Sequence, residues 1–119
     1  MADKEFEQRV KPIIIHDEDH DREYTLEFNR DTVKFAEMHG FDINDVGRFP
    51  MIKLPELFYY AFRMHHPNIS RANTDKIFFE ELGGINDQVA NRLGELYAVP
   101  YEALNGDAAR KNPKVTVEL

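Results

Sequence analysis

Residues 54–66, LPELFYYAFRMHH, restrict the fold more than any other part of this chain. Wound as an α-helix, this segment places apolar or aromatic side chains on nearly every side and leaves little besides Glu56 and Arg63 to face water. Pro55 suits a first helical turn and Pro67 suits the position just past the end, so we predict a central helix over residues 54–66. Such a helix is buried on more than one side. Either the rest of the chain surrounds it, or a second chain covers what the rest cannot.

The size and charge of the chain narrow the class of protein. Its 119 residues are enough for one domain with a single modest core. The formal net charge is −7 and the basic residues are scattered, which disfavours binding to a nucleic-acid backbone. No apolar run approaches the length of a membrane span, and the N-terminus lacks the pattern of a signal peptide. We therefore expect a cytoplasmic protein with a protein partner, and no nucleic acid or membrane as partner.

Two short segments near the N-terminus have β-strand patterns. Residues 10–15 (VKPIII) are mostly apolar and β-branched, and residues 24–28 (YTLEF) alternate large apolar with polar side chains. Residues 16–23 between them are charged and contain no glycine, so we predict a hairpin with a long, solvated connection. Because Pro12 lacks an N–H group, the first strand is an edge strand or begins after it. The side chains expected to pack inward on helices are Tyr24, Leu26 and Phe28.

A first helix is predicted directly after the hairpin. It covers residues 30–39, with Asn29 or Asp31 as its cap and Gly40 in the left-handed position after its last turn. Asp42 then caps a short turn. The expected core positions of the helix are Val33 and Ala36, with Phe35 and Met38 beside them.

Two more helices follow the central one. The first covers residues 75–82 after a cap at Asn73 or Thr74, and glycines at 83–84 end it. The second covers residues 85–97 and has the clearest amphipathic pattern in the chain. The expected apolar positions are Ile77, Phe78 and Leu82 in the first, and Ile85, Val89, Leu93, Leu96 and Tyr97 in the second.

These elements together predict an α+β domain that is mainly α. An N-terminal β-hairpin packs on about four helices arranged around the central aromatic helix at 54–66. We expect residues 1–104 to form a single globular domain, in which residues 1–9 are frayed. Residues 105–119 are polar, contain glycine and proline, and are expected to form a flexible C-terminal tail.

The charged segment 16–23 holds the weak metal-ligand candidates, which are His16, Asp19 and His20. Histidines four residues apart bind zinc when they share a helix face, and this segment is predicted to be a loop. It also lacks the glycine and the glutamate spacing of a calcium loop. The chain has no cysteine, which excludes thiolate ligands. We therefore predict no specific metal site and no cofactor.

The histidine pair His65–His66 is the remaining candidate for chemistry. The pair lies at the end of the predicted central helix, where the helix dipole favours a partly cationic imidazole. A catalytic role would need an acid and a nucleophile such as Ser70 or Thr74 beside it, and the spacing does not indicate one. We expect no catalytic residue and a protein that is not an enzyme.

Residues 75–82 and 85–97, joined by two glycines, also have the order of a helix-turn-helix DNA reader. The second helix carries Arg92, but it also carries Asp87 and Glu95 and has no basic flank to contact phosphates. A small DNA-binding regulator is therefore an alternative that ranks below protein binding.

The order of features over residues 24–66 resembles that of a known protein family. It consists of a strand YTLEF, a capped helix ending in HGFDINDVG, and the segment PELFYYAF followed closely by histidines. This order is similar to that of small tail assembly chaperones encoded by long-tailed phages and prophages of Gram-positive bacteria. The charged segment 16–23 is longer than in that family, which leaves its role open.

The resemblance implies a non-enzymatic role in the cytoplasm of the bacterial host. Such chaperones bind the long, apolar, helix-rich tape measure protein and keep it soluble until tail tube subunits assemble around it, and they are absent from the mature virion. A structural head–tail or tail subunit is the further alternative, and a homo-oligomer would cover the same surface. We predict that the partner binds in an apolar groove. The groove is lined by the aromatic side chains that are hardest to place in one core: Phe58, Tyr59, Phe62, Phe78, Phe79 and Tyr97.

Overall fold

The chain folds into a two-stranded hairpin followed by helices. A computed structural model describes residues 10–104, 115 and 117–119. The predicted α+β, mainly α architecture is confirmed. Its elements are β1 (Ile13–Asp17), β2 (Arg22–Leu26), α1 (Arg30–Met38), α2 (Pro50–Phe62), α3 (Arg71–Asp75), a π-helix (Lys76–Glu81) and α4 (Asp87–Ala98), with 3-10 helices at Ile43–Asp45 and Val99–Leu104.

The hairpin has a shorter connection than the sequence predicts. The two antiparallel strands extend into the charged segment until Asp17 lies opposite Arg22, which leaves a turn of only residues 18–21. Asp21 adopts the left-handed conformation, with φ 51°, that glycine takes in most tight turns, and aspartate is one of the few other residues that tolerate it. The strand β1 begins directly after Pro12, as predicted.

The inner face of the hairpin packs on helix α2. Leu26 is fully buried and Phe28 is 5% exposed, which confirms the predicted inward face. The ring of Tyr24 lies edge-on to that of Phe62, with centroids 5.5 Å apart. Beyond the end of β2, the Glu27 N–H donates to the Ala61 carbonyl at 3.0 Å, so the backbone itself joins hairpin and helix.

Helix α1 has the predicted cap. The Asn29 side chain accepts from the Thr32 N–H and the Thr32 hydroxyl accepts from the Asn29 N–H, both at 2.9 Å. Gly40 follows the helix with φ +85°. The expectation that Met38 joins the core is wrong, because it is 75% exposed. It lies two residues after buried Ala36, which is more than half a turn away on a helix.

Helix α2 is the predicted central helix, shifted by four residues at each end. It begins at Pro50 instead of residue 54 and ends at Phe62 instead of residue 66. Pro50 takes the first helical position, where a missing N–H costs nothing, so Pro55 lies one turn later inside the helix.

The rest of the chain surrounds α2. Contacts to it come from β2, α1, α3, α4 and the first 3-10 helix. The side chains at most 1% exposed on α2 are Leu57, Phe58, Ala61 and Phe62. The sequence leaves open whether the rest of this chain or a second chain covers the central helix. For these four side chains, the rest of this chain does.

Helix α3 begins earlier than predicted. Its cap is Ser70, whose hydroxyl accepts from the Asn73 N–H at 3.1 Å, so the expected cap at Asn73 or Thr74 is wrong. Thr74 is instead fully buried, and its hydroxyl donates to the Arg71 carbonyl at 3.0 Å. Because this hydrogen bond is made within the helix, the Thr74 hydroxyl is buried without being left unpaired.

The chain then widens into a π-helix, which no sequence feature predicts. The Leu82 N–H donates five residues back to the Ile77 carbonyl at 2.8 Å. Because the wider turn changes the register of later side chains, Leu82 is 43% exposed and its predicted core position is wrong. Gly83 and Gly84, with φ of +68° and +95°, then end the helix as predicted.

Helix α4 follows the predicted amphipathic pattern. The Asn86 side chain caps it by accepting from the Val89 N–H at 2.9 Å. Its buried side chains are Leu93, Leu96 and Tyr97, while Ile85 and Val89 are half-buried.

The predictions for the two ends of the chain rest largely on residues outside the described part. These are the frayed segment at 1–9 and most of the flexible tail, at 105–114 and 116. Val115 and residues 117–119 are described and exposed. Within the described residues, no helix combines the length and the hydropathy that a membrane span requires.

Candidate functional site

The six side chains of the predicted groove do not lie together on the surface. Phe58, Phe62 and Tyr97 are at most 1% exposed and Phe78 is 6% exposed, so four of the six are core residues. Tyr59 is half-buried, and Phe79 is 53% exposed. One open groove lined by all six is therefore absent from the described structure, and partner binding by Tyr59 and Phe79 stays a prediction.

The buried rings pack against one another instead of a partner. Phe58 lies edge-on to both Phe62 and Phe78, with centroids 5.0 and 5.2 Å apart. Tyr97 lies edge-on to Phe28 at 5.0 Å and to Phe41 at 5.5 Å. Edge-on pairs place the positive rim of one ring on the negative face of the next, which stabilises a core made of aromatic side chains. The surplus of aromatic residues is thus used largely inside the chain.

Tyr97 carries the one polar atom of this core without a partner. Among the described residues, its hydroxyl is the buried side-chain polar atom that makes no hydrogen bond. Burial, with the negative charges of Glu37 and Asp42 and the nearby Tyr60, raises the pKa of Tyr97 to about 12. The hydroxyl is therefore protonated at neutral pH and does not act as a base.

Three large apolar side chains are exposed at the start of α2, and we call them the α2 patch. Phe49, Met51 and Ile52 are 49%, 84% and 59% exposed. All three belong to the cap or the first turn of α2, so the exposed N-terminal end of this helix is largely apolar. Sequence reasoning missed this patch because it placed the start of the helix at residue 54. The sequence signal for this patch is the apolar run FPMI directly before Lys53.

Charged groups border the α2 patch. The Arg48 guanidinium lies 5.5 Å from the centre of the Phe49 ring. On the next turn, Lys53 and Glu56 form an ion pair at 3.4 Å. An apolar centre with a charged border is the usual composition of a protein-binding surface.

A second exposed apolar area lies at the end of the π-helix. Phe79 is 53% exposed, with its ring centroid 4.7 Å from that of buried Phe78. Leu82 is 43% exposed and lines a cleft of about 400 Å³ between the hairpin and the π-helix. This area contains the most exposed of the six predicted groove residues.

The three weak metal-ligand candidates line one cleft but do not form a ligand set with one another among the described residues. His16 lies within β1 and contacts Glu23 across the hairpin at 3.2 Å. Asp19 lies in the turn, and no ion pair joins it to another described residue. His20 lies in the same turn, and its Nδ1 is 2.9 Å from Asp17 Oδ2.

His20 lies beside two carboxylates that the sequence does not place together. Asp17, His20 and Glu81 each offer a ligand atom, and these atoms lie within 4.8 Å of one another. Desolvation opposes ionisation of Asp17, but hydrogen bonds from the side chain and backbone of His20 lower the pKa of its carboxyl below the usual value. Sequence reasoning missed Glu81 because only the folded chain brings the π-helix to the hairpin.

The two histidines after α2 bind the hairpin. His65 Nε2 lies 2.9 Å from Glu27 Oε1, and His66 Nε2 accepts from the Thr25 N–H at 3.0 Å. Burial, with the charge of His65, lowers the pKa of His66. The predicted cationic role is therefore wrong for His66, because α2 ends four residues earlier and the imidazole serves as an acceptor.

In the helix pair considered as a DNA reader, Arg92 is hydrogen-bonded within the protein. The Arg92 guanidinium donates to the Lys11 carbonyl at 3.2 Å, while Asp87 and Glu95 are exposed. The DNA-binding alternative stays a prediction that this geometry does not favour.

Comparison with protein families places the chain in one of them. A family model matches all of residues 1–119, so the chain belongs to the family described as a domain of unknown function, DUF5055. No curated protein matches the chain, and no solved structure does. The family description carries no activity, so a function has to be argued from the surface.

Proposed function

We propose that this protein is a phage tail assembly chaperone that binds apolar helical segments of the tape measure protein and keeps it soluble during tail assembly. The observation that carries the proposal is the α2 patch, with three large apolar side chains exposed within one turn. An amphipathic helix binds such a surface by laying its apolar face on it. The resemblance of residues 24–66 to tail chaperones supports the same conclusion.

The size of the patch argues for weak, reversible binding. Complete burial of three side chains such as Phe49, Met51 and Ile52 contributes at most about 9 kcal/mol. Association costs about 4–15 kcal/mol in lost freedom of motion. The α2 patch alone is therefore too small for tight binding, and a second contact such as Phe79 and Leu82 is required. Weak contacts of this kind suit a chaperone, which has to release its client when tail tube subunits arrive.

The role is non-enzymatic and belongs to the cytoplasm of the bacterial host. The tail tube protein is a second expected partner, since its subunits displace the chaperone from the tape measure protein. Self-association is an allied expectation, because a second copy would cover the same apolar areas. The net charge of −7 suits a chaperone that stays soluble while it exposes them.

Co-expression with the tape measure protein from the same gene neighbourhood tests the proposal. We expect the tape measure protein to become soluble and to co-purify with this chain, with the stoichiometry given by light scattering. A tape measure protein that stays insoluble while this chain elutes alone would contradict the proposal.

Mass spectrometry of purified virions separates a chaperone from a structural tail subunit. We expect the chain to be absent from the finished particle. Its presence at a fixed copy number would overturn the chaperone role and support the structural alternative.

A further inference from the structure

The cleft between the hairpin and the π-helix brings together a set of side chains of the metal-binding type. Asp17 is the last residue of β1, His20 lies in the turn, and Glu81 is the last residue of the π-helix. One ligand atom from each lies within 4.8 Å of the others. The set joins two elements far apart in sequence, so local hairpin geometry does not account for the position of Glu81.

The donor atoms select a class of metal. One imidazole nitrogen with two carboxylate oxygens suits Zn²⁺ and similar transition-metal ions, whereas Mg²⁺ and Ca²⁺ prefer oxygen alone. Ligands about 2.1 Å from a tetrahedral ion lie roughly 3–3.5 Å apart. His20 Nδ1 and Asp17 Oδ2, at 2.9 Å, are already close to that spacing. The Glu81 carboxylate lies within 4.8 Å of both ligand atoms, and its side chain is exposed and free to turn.

The charges of the set favour a bound cation. The carboxylates of Asp17 and Glu81 lie close enough to repel each other. Among the described residues, no lysine or arginine forms an ion pair with either within 4 Å. Arg22 interacts with both at longer range and offsets part of this repulsion. A divalent ion held between the carboxylates would offset the rest.

The surroundings leave room for an ion. Asp17 is anchored, with its side chain 16% exposed, while His20 is 58% exposed. The set borders the cleft of about 400 Å³ also lined by Ile15 and Ile77. Three protein ligands leave a fourth position that water or a carboxylate of a partner can fill.

We propose that Asp17, His20 and Glu81 bind a divalent transition-metal ion of the zinc class, which fastens the tip of the hairpin to the π-helix. This site gives a role to the charged hairpin segment that the resemblance leaves without one. The proposal does not depend on the chaperone function.

Calorimetric titration of the full chain with ZnCl₂, after removal of any affinity tag, tests the site. We expect one ion per chain, and no binding in the same titration with MgCl₂. Glu81→Gln and His20→Gln should each weaken Zn²⁺ binding by more than about tenfold, since even loss of a group that only supports a ligand costs about 10- to 100-fold. Circular dichroism of both variants without metal should match that of the wild type, because both positions are exposed.

His16→Gln is the matched control. His16 lines the same cleft but pairs with Glu23 and is not one of the three proposed ligands, so Zn²⁺ affinity should be unchanged. Absence of Zn²⁺ binding in the wild type would overturn the proposal. An equal loss in the His16 variant, or full binding by the Glu81 variant, would also overturn it, because the ion would then bind to surface histidines without the π-helix.

Discussion

The Nε2 atom of His66 accepts a hydrogen bond from the backbone N–H of Thr25 at 3.0 Å, across 41 positions of sequence. The bond fastens the segment after α2 to strand β2. An imidazole nitrogen accepts only when it carries no proton. Burial, with the charge of His65, lowers the pKa of His66 and keeps the acceptor form at neutral pH. Protonation of this ring therefore opposes packing of the hairpin on the helix.

The first prediction is a loss of stability in mild acid that depends on His66. Because the pKa of His66 is lower in the folded chain than its usual value of 6.5, the unfolded chain binds more protons as the pH falls below that value. The free energy of unfolding should therefore fall as the pH drops from above 6.5 through the folded-state pKa. Urea unfolding at neutral and mildly acidic pH measures this change.

The variant His66→Gln isolates the effect, since its amide oxygen is able to accept from Thr25 at any pH. The variant should lose less stability than the wild type over the same pH range. The exposed His39 provides the control, because His39→Gln should keep the dependence of the wild type. Identical pH dependence in the wild type and the His66 variant would contradict the assignment.

The second prediction separates core from surface among the aromatic residues. Phe62 is fully buried between the rings of Tyr24 and Phe58, so Phe62→Ala should lower the free energy of unfolding by about 3–5 kcal/mol. Phe79 is 53% exposed, so Phe79→Ala should cost less than about 1 kcal/mol. Urea unfolding followed by circular dichroism gives both values. Similar losses in the two variants would mean that the described packing is wrong.

The third prediction concerns the hydroxyl of Tyr97 that has no partner. A buried polar group left unpaired costs about 1–3 kcal/mol, so Tyr97→Phe should raise the free energy of unfolding by about 1 kcal/mol. Ultraviolet titration should also lose the ionisation step near pH 12, the value that burial gives the pKa of this phenol. Tyr59→Phe, at a half-buried position, is the control and should leave that step in place. Destabilisation by Tyr97→Phe would show that the hydroxyl has a partner.

The fourth prediction concerns the break between the π-helix and α4. Gly83 has φ +68°, so Gly83→Ala should cost about 1–2 kcal/mol of unfolding free energy. Gly94 lies inside α4 with no atom within 4 Å of an added Cβ, so Gly94→Ala should raise that free energy by about 0.5–1 kcal/mol. Thermal unfolding of the two variants should show opposite shifts. A shift of the same sign in both would contradict the conformation at Gly83.

The sequence predicts those elements whose ends are set by local chemistry. Asn29 and Gly40 define α1 because the cap and the left-handed residue act within one turn. The start of α2 was misplaced because Pro50 and Pro55 both suit a first turn, and only packing selects between them. The π-helix has no sequence signature, so its onset at Lys76 could not be predicted.

The site was less predictable than the fold. Aromatic content indicates a large apolar area but does not say whether a ring such as Phe58 or Phe79 faces inward, because that depends on elements distant in sequence. The same limit applies to Glu81, which only the folded chain brings to His20. The α2 patch could be recognised only from the structure, because its position depends on where α2 begins.

The soluble fraction of the co-expressed tape measure protein, measured with variants of the α2 patch, tests the central claim most directly. Ile52→Ser removes an apolar side chain that is 59% exposed, and Leu104→Ser removes one that is 82% exposed outside the patch. We predict that the wild type and the Leu104 variant keep the tape measure protein soluble, while the Ile52 variant, with unchanged circular dichroism, reduces the soluble fraction severalfold. Equal solubility with the Ile52 variant and the wild type would contradict binding through the α2 patch, and an insoluble tape measure protein in all three would contradict the chaperone function itself.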